Sequence, residues 1–142
     1  MAHPNLVQAR KRARLRALQA LYQHELNPQS SRELIDQFLE SQDMSNTDLD
    51  YFSELIRNIA TTGKQLDELL LPYLDIPSEK LDITERCILR IAAYEFSQRL
   101  EIPFRIIINE SVSLAKKFGA TDGHKYINGV LDKAARVLRP HE

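Results

Sequence analysis

The sequence has little cysteine, glycine or proline: one, four and six residues, respectively, out of 142. The single Cys87 cannot form an internal disulfide. Because it lies in the apolar run Cys87-Ile88-Leu89, we predict a buried, inert thiol. No apolar run approaches the ~18 residues that a membrane span needs, and the N-terminus has no apolar signal segment. We therefore expect a soluble, cytoplasmic protein without a membrane partner.

The few glycines, and prolines that lie between apolar stretches, favour helices with short connections over a turn-rich sheet protein. A chain of 142 residues suits one domain, so we predict a single domain over residues 1–142. Apolar residues recur at helical spacing in seven segments, which predicts an all-α fold class. The predicted helices span residues 8–26, 31–42, 46–62, 64–74, 82–99 and 104–118, and a seventh follows a cap at Thr121 or Asp122 and ends near Leu138.

Local signals refine these helices. Ser30 followed by Glu33 is typical of a capping box at the start of the second helix. Gly63 follows the third helix at the place where a C-terminal cap is expected. The predicted apolar stripe of the first helix consists of Leu15, Leu18, Leu21, Tyr22 and Leu26.

Motifs for catalysis or cofactor binding are absent from the sequence. The glycines form neither a P-loop nor a dinucleotide-binding motif, and no serine lies in a nucleophile elbow. No histidine has a second His or Cys at metal-ligand spacing. We therefore predict no enzyme activity, no cofactor and no metal site. Because an all-helical domain can hide an active site, an enzyme stays an alternative at this point.

Charge is distributed unevenly, although the net charge is only −1. Residues 1–26 carry five Lys or Arg and one Glu, a net charge of +4. Residues 27–85 carry four Lys or Arg and thirteen Asp or Glu, a net charge of −9, and residues 86–142 have a net charge of +4. An acidic middle between two basic ends predicts two partner surfaces of opposite charge.

Residues 10–16 of the first helix contain five cations: Arg10, Lys11, Arg12, Arg14 and Arg16. At about 100° per residue they point around the whole circumference of the helix. We therefore expect these turns to project beyond the core or to dock on a polyanion. The helix macrodipole disfavours cations near an N-terminus, which favours a binding role. A frayed, solvated helix is the alternative.

The second basic cluster is predicted at the turn between the last two helices. Lys116, Lys117 and Lys125 should converge there with Asp122. Exposed backbone N–H groups at the start of the last helix lie beside them and can bind a phosphate. The alternative for the two adjacent lysines is charge compensation at a helix end, and for Asp122 a role as a first-turn acid or cap.

Two tyrosines are candidate stacking platforms. Single-stranded RNA is read largely by stacking on aromatic rings and by contacts to base edges, and Tyr22 and Tyr126 lie near the two basic segments. Both are also at helical spacing from core positions, so core packing is the alternative for each.

Several blocks of the sequence resemble the NusB family, in order and over nearly the whole chain. They are RLRALQALY at 14–22, LDELLLPYL at 66–74, ILRIAAYE at 88–95, Ile102-Pro103 with Ile108-Asn109-Glu110, and LAKKFGATDGHKYINGVLDK at 114–133. The final block is long and specific. The chain is therefore identified as a member of the NusB family.

The resemblance implies an all-α fold of about seven helices in two packed helical bundles. It also implies a transcription antitermination factor that pairs with NusE, a protein of the small ribosomal subunit, and binds single-stranded boxA RNA of ribosomal RNA leaders. With NusA and NusG, the pair helps RNA polymerase to pass terminators. Homodimers also occur in the family, so a monomer and a homodimer both stay open.

The resemblance also implies site residues. RNA contacts carry over onto the two basic segments, as Arg10, Lys11, Arg12, Arg14, Tyr22, Lys116, Lys117, Asp122, Lys125 and Tyr126. NusE contacts carry over onto the start of the central helix, as Leu81, Asp82, Glu85 and Leu89. Gly123 departs from the family pattern, in which serine is common, and this removes a hydroxyl that could form a contact or a cap.

Three alternatives to an RNA-binding adaptor stay open. A helical protein-interaction adaptor would bind a partner without contacting RNA. A ribosomal RNA methyltransferase is conceivable because NusB-like domains are fused to such enzymes, but we expect no room for a cofactor-binding α/β domain in 142 residues. A helix-turn-helix protein would bind duplex DNA in preference to RNA.

Overall fold

The computed structural model describes residues 6–142, and within them all regular secondary structure is helical. The α-helices are α1 (Leu6–Leu26), α2 (Ser31–Ser41), α3 (Leu49–Ile59), α4 (Gly63–Leu70), α5 (Ile83–Gln98), α6 (Phe104–Phe118) and α7 (Gly123–Leu138). Two short 3-10 helices lie between α4 and α5, at Leu71–Tyr73 and Ser78–Lys80. The predicted all-α class is confirmed. None of the described helices is long and apolar enough to cross a membrane.

The chain divides into two compact units, Met1–Thr61 and Thr62–Glu142, here called the N-terminal and the C-terminal unit. The prediction of one domain over 1–142 stays a prediction. In the N-terminal unit, α1 and α2 both pack against α3, whose core side chains include Phe52, Leu55 and Ile56. The ring of Phe38 from α2 lies 5.9 Å from that of Phe52.

The buried side of α1 differs from the predicted stripe. Leu18 and Leu21 are buried as predicted, whereas Tyr22 and Leu26 are exposed. In their place α1 buries small and charged side chains, at Ala13, Arg14, Ala17 and Ala20. The prediction was based on the spacing of large apolar residues, and it missed this side of α1 because alanine contributes little to the hydrophobic periodicity.

The predicted capping box at the start of α2 is confirmed. The Ser30 hydroxyl accepts from the Glu33 N–H at 3.1 Å, and the Ser30 N–H donates to the Glu33 carboxylate at 3.2 Å. The predicted cap at Gly63 is wrong, because α3 ends at Ile59 and Gly63 begins α4. A Cβ at Gly63 would lie 2.8 Å from the guanidinium carbon of Arg90, so glycine there leaves space for that side chain.

In the C-terminal unit, α5 is the central helix and packs against α4, α6 and α7. Its side chains at Ile88, Ile91 and Phe96 are almost completely buried. Cys87 is also buried and forms no disulfide, as predicted. The guanidinium of Arg90 donates to both carboxylate oxygens of Asp67 at 2.8 Å each, which joins α5 to α4 by a bidentate ion pair.

Arg139, the residue after α7, joins three helices of this unit. Its side chain is 4% exposed, and its guanidinium donates to the backbone carbonyls of Glu95, Phe96, Arg99 and Ile102 at 3.0 to 3.2 Å. These carbonyls lie at and beyond the C-terminal end of α5, where a cation is favourable. Glu142 contacts Arg139 and accepts the N–H of Phe104 at the start of α6. That backbone hydrogen bond, followed by Arg139, lowers the pKa of the Glu142 carboxyl.

We expect Arg139→Ala to lower the free energy of unfolding by about 2–4 kcal/mol, because buried carbonyls lose their donor. Urea unfolding followed by circular dichroism measures the loss. Arg136→Ala is the matched control, since Arg136 is exposed and pairs with Asp132 one turn earlier, a contact that contributes at most about 0.5 kcal/mol. Equal losses in the two variants would contradict the role of Arg139.

Candidate nucleic-acid interface

The basic segment, residues 10–16 of α1, packs within the N-terminal unit, so of the two predicted outcomes projection beyond the core is wrong and docking on a polyanion stays a prediction. The backbone N–H of Asp48, just before α3, donates to the carbonyl of Ala9 at 3.1 Å. Residues 10–16 thus lie beside the α2–α3 loop, defined as residues 42–48. Because α1 already includes Leu6, Arg10 lies beyond the first helical turn, and the macrodipole penalty is smaller than predicted.

Two arginines of the basic segment lie near the ring of buried Tyr51. The guanidinium carbons of Arg10 and Arg14 are 4.6 and 5.7 Å from the ring centroid, within cation–π range. Arg10 also lies 3.7 Å from the carboxylate of Asp48. Arg14 is only 4% exposed, so its side chain belongs to the packing of the unit. Of the two, only Arg10 remains partly accessible.

Two further arginines bind the α2–α3 loop through its backbone. The Nε of Arg12 donates to the carbonyl of Ser45 at 3.1 Å, and Arg16 donates to the carbonyl of Asp43 at 3.0 Å. Arg16 also donates to the side chain of Gln19 at 2.8 Å. Sequence reasoning missed these contacts, because no local pattern shows which backbone oxygens a distant arginine reaches.

The accessible part of this region is here called the α1 surface and consists of Arg10, Lys11, Arg12 and Arg16. All four are of intermediate exposure. On the same helix, Tyr22 is 39% exposed, so core packing does not use its whole ring. Helix α1 therefore carries both the cations of the α1 surface and a partly exposed aromatic ring.

The second basic cluster surrounds the turn between α6 and α7. Lys116 and Lys117 are exposed in the last turn of α6, which ends at Phe118 as predicted and is capped by Gly119. Asp122 occupies the N-cap position of α7 in a left-handed conformation, with φ 66°, but its side chain makes no cap hydrogen bond. Its carboxylate instead lies 3.3 Å from the Nζ of exposed Lys125. We call these four charged residues the turn surface.

Tyr126 is held by a hydrogen bond within the C-terminal unit. Its hydroxyl accepts the backbone N–H of Asp75 at 3.3 Å, which joins α7 to the segment after the first 3-10 helix. The residue is of intermediate exposure. Its role as a stacking platform stays a prediction.

The predicted partner residues lie at the start of α5, and most of them are buried. Leu81 and Leu89 are 7% and 4% exposed, and Glu85 is 9% exposed. Only Asp82 is exposed, and its carboxylate caps α5 by accepting the Glu85 N–H at 3.4 Å. Of the four predicted partner residues, only Asp82 therefore contributes substantially to the surface, and the role of all four stays a prediction.

The carboxylate of Glu85 lies against the first residue of α7. A Cβ at Gly123 would be 2.1 Å from the Glu85 Oε2, so a side chain at this position requires the Glu85 carboxylate to move. Burial, and secondarily the negative charge of Asp82, raises the pKa of the Glu85 carboxyl. A negative charge at the N-terminus of α7 is nevertheless favourable to the macrodipole. Glu85 thus lies between the start of α5 and the first residue of α7.

Comparison with known proteins identifies the family. Residues 11–136 match the model of the NusB family. The chain belongs to the NusB family. It is 47% identical over 135 residues to transcription antitermination protein NusB of Baumannia cicadellinicola subsp. Homalodisca coagulata, covering 95% of this chain and 97% of that protein. It is 48% identical over 134 residues to the Escherichia coli O139:H28 protein of the same name, covering 94% and 96%.

A solved structure agrees with this placement. The structure of T. maritima NusB superposes with a TM-score of 0.74 at 30% sequence identity, and covers 96% of this chain and 93% of that one. The resemblance found in the sequence blocks is thereby confirmed at the level of family and fold. The individual RNA-binding and partner-binding residues stay predictions.

We expect Gly123→Ala to lower the free energy of unfolding by about 0.5–1 kcal/mol in this NusB-family chain, because the new methyl group displaces the flexible end of the Glu85 side chain from its preferred position. Thermal and urea unfolding measure it. In a Glu85→Ala background, Gly123→Ala should lower the free energy of unfolding by less, and a double-mutant cycle measures this difference.

Gly129→Ala is the matched control on the same helix. A Cβ at Gly129 meets no heavy atom within 4 Å, and alanine forms helix better than glycine, so this variant should be up to about 1 kcal/mol more stable. Equal effects at Gly123 and Gly129, or an additive cycle, would contradict the Glu85 contact.

Proposed function

We propose that this chain is a transcription antitermination factor that binds single-stranded boxA RNA of ribosomal RNA leaders together with NusE. It acts in the cytoplasm on RNA polymerase, with NusA and NusG. The observation that carries the proposal is the pair of accessible basic surfaces, the α1 surface and the turn surface, in a chain whose net charge is only −1. The names of the relatives support the antitermination role.

The chemistry of both surfaces fits single-stranded RNA. Guanidinium and ammonium groups supply phosphate contacts, and exposed Tyr22 supplies a ring on which an unpaired base can stack. We propose direct contacts from the α1 surface, from Tyr22 and from Lys116, Lys117 and Lys125, with Tyr126 as a second platform. Arg14 supports the α1 surface from within, through Tyr51.

The exposed acidic residues before α5 fit a basic ribosomal protein. Asp75, Glu79 and Asp82 are exposed there, and Ile76 among them exposes 44% of its surface. Opposite charge steers the encounter, and an exposed apolar side chain gives the contact area that charge alone does not. We propose that NusE binds this stretch, while Leu81, Glu85 and Leu89 hold its backbone in place.

The deciding experiment is a gel shift with boxA-like RNA, with and without NusE, at several salt concentrations. Affinity should fall with salt, with a log–log slope of about −0.7 per neutralised phosphate. Changing Lys116 and Lys117 to Ala should make the slope shallower by about 1.4 and weaken binding. Changing exposed Lys64 and Lys133 to Ala removes the same charge and should leave the slope nearly unchanged.

Three results would overturn the proposal. A flat salt response would exclude phosphate contacts. Absence of a shift with RNA, while NusE still binds, would support a protein-interaction adaptor. Equal competition by duplex DNA would support a helix-turn-helix protein.

We expect Asp122→Asn to tighten RNA binding. The change removes a negative charge beside the phosphates and releases Lys125 from its ion pair. Asparagine also tolerates the left-handed backbone of this position, so the turn should keep its shape. Asp132→Asn, ten residues further along α7, is the control that removes the same charge about 15 Å away. A titration in which Asp122→Asn binds more weakly, or no better than the control, would reject this placement of Asp122.

A further inference from the structure

We propose that the α2–α3 loop is a positioning element of the RNA-binding α1 surface. In this inference, which rests on the proposed function, the loop carbonyls orient the guanidinium groups of Arg12 and Arg16 toward phosphate. The Asp43 side chain in turn fixes those carbonyls. Asp43 and Asn46 thereby become positioning residues for RNA binding that do not touch the RNA.

The contacts of Arg12 leave its phosphate-binding edge available. Its Nε donates to the Ser45 carbonyl, and among residues 6–142 the structure gives its two terminal nitrogens no acceptor. A guanidinium carries five N–H groups, and its paired terminal N–H groups match the oxygens of a phosphate. Arg16 is available only in part. One of its terminal nitrogens donates to the Gln19 side chain and the other to the Asp43 carbonyl, so three of its five N–H groups remain for phosphate.

The acceptors of these hydrogen bonds are backbone carbonyls, and this determines whether the loop strengthens or weakens phosphate binding. A carboxylate at hydrogen-bond distance would neutralise the arginine and compete with phosphate. A carbonyl fixes the orientation of the side chain and leaves its full positive charge. Ordering a long side chain before binding reduces the entropy lost when the ligand arrives. The loop therefore favours RNA binding, although its sequence contains two aspartates.

The Asp43 side chain holds the loop in the shape that presents these carbonyls. Its Oδ1 accepts both the N–H and the hydroxyl of Ser45, at 3.0 and 2.6 Å. These two hydrogen bonds, more than the charges of Arg12 and Arg16, lower the pKa of the Asp43 carboxyl. Asn46 then takes a left-handed conformation, with φ 59°, which reverses the chain before α3. The Asp43–Ser45 hydrogen bonds and the left-handed conformation of Asn46 each depend on one side chain, so a single substitution can remove either of them.

The test compares Asp43→Asn with Asp43→Ala in a titration of boxA-like RNA. Both variants remove the same negative charge, but only asparagine keeps an oxygen that accepts the two Ser45 bonds. We expect Asp43→Asn to bind RNA at least as tightly as the wild type, and Asp43→Ala to bind it about three- to tenfold more weakly than Asp43→Asn. Electrostatics alone predicts equal affinities for the two variants, and equal affinities would overturn the proposal.

The salt dependence separates lost contacts from lost stability. If Arg12 and Arg16 no longer reach phosphate in Asp43→Ala, its log–log salt slope should be shallower than that of Asp43→Asn by up to about 1.4. A general loss of folded protein would lower the active fraction without changing the slope. Equal slopes would count against the positioning role.

Asn46 provides an independent pair of variants should Asp43→Ala fail to fold. Glycine adopts the left-handed conformation freely, whereas alanine adopts it at a cost. We expect Asn46→Gly to bind RNA like the wild type and Asn46→Ala to bind it more weakly, by about two- to fivefold. Equal binding in this pair would overturn the role of the loop.

The outcomes distinguish this inference from the proposed function. Absence of RNA binding by the wild-type chain with NusE would remove the proposed function and the inference together. RNA binding by the wild type, with no difference within either pair of variants, would leave the function standing and reject the positioning role alone.

Discussion

The N-terminal unit depends on how α1 accommodates five cations within seven residues. Mutual repulsion is limited because the side chains meet different neighbours: Arg14 is buried near Tyr51, Arg10 lies between that ring and Asp48, and Arg12 and Arg16 bind loop carbonyls. A π face and a carbonyl both attract a cation without removing its charge. The basic segment can therefore contribute to packing and still attract a polyanion.

The C-terminal unit places charged side chains at the ends of helices. Arg139 satisfies carbonyls at the end of α5, and Glu142 accepts an N–H at the start of α6. Glu85 lies at the start of α7, where Gly123 leaves it space. Each charge has the sign that the macrodipole of that helix end favours. The contacts of Arg139 and Glu142 lie where α5 ends and α6 begins, whereas the contact of Glu85 adjoins the turn that carries Lys116, Lys117 and Asp122.

The sequence predicted features that arise within a few residues of one another and missed those that join distant ones. Helical periodicity predicted the seven helices, and Ser30 with Glu33 predicted a cap, because both signals lie within one or two turns. The exposure of Tyr22 could not be predicted, since alanines form much of the buried side of α1. Nor could the contact of Glu85 with Gly123, because 38 residues separate the two and no pattern in either segment refers to the other.

In the candidate site, too, local features could be predicted from the sequence and contacts between distant residues could not. Residue type placed cations on α1 and on the α6–α7 turn, but it could not show that Arg14 is buried or that Arg12 and Arg16 are oriented. Charge counted along the sequence treats all five cations of the basic segment as equal, whereas binding depends on which N–H groups remain after folding. In α1 that selection is made by a loop more than 25 residues away in sequence. A cation run thus specifies the kind of ligand, and the tertiary contacts of each side chain specify where that ligand can bind.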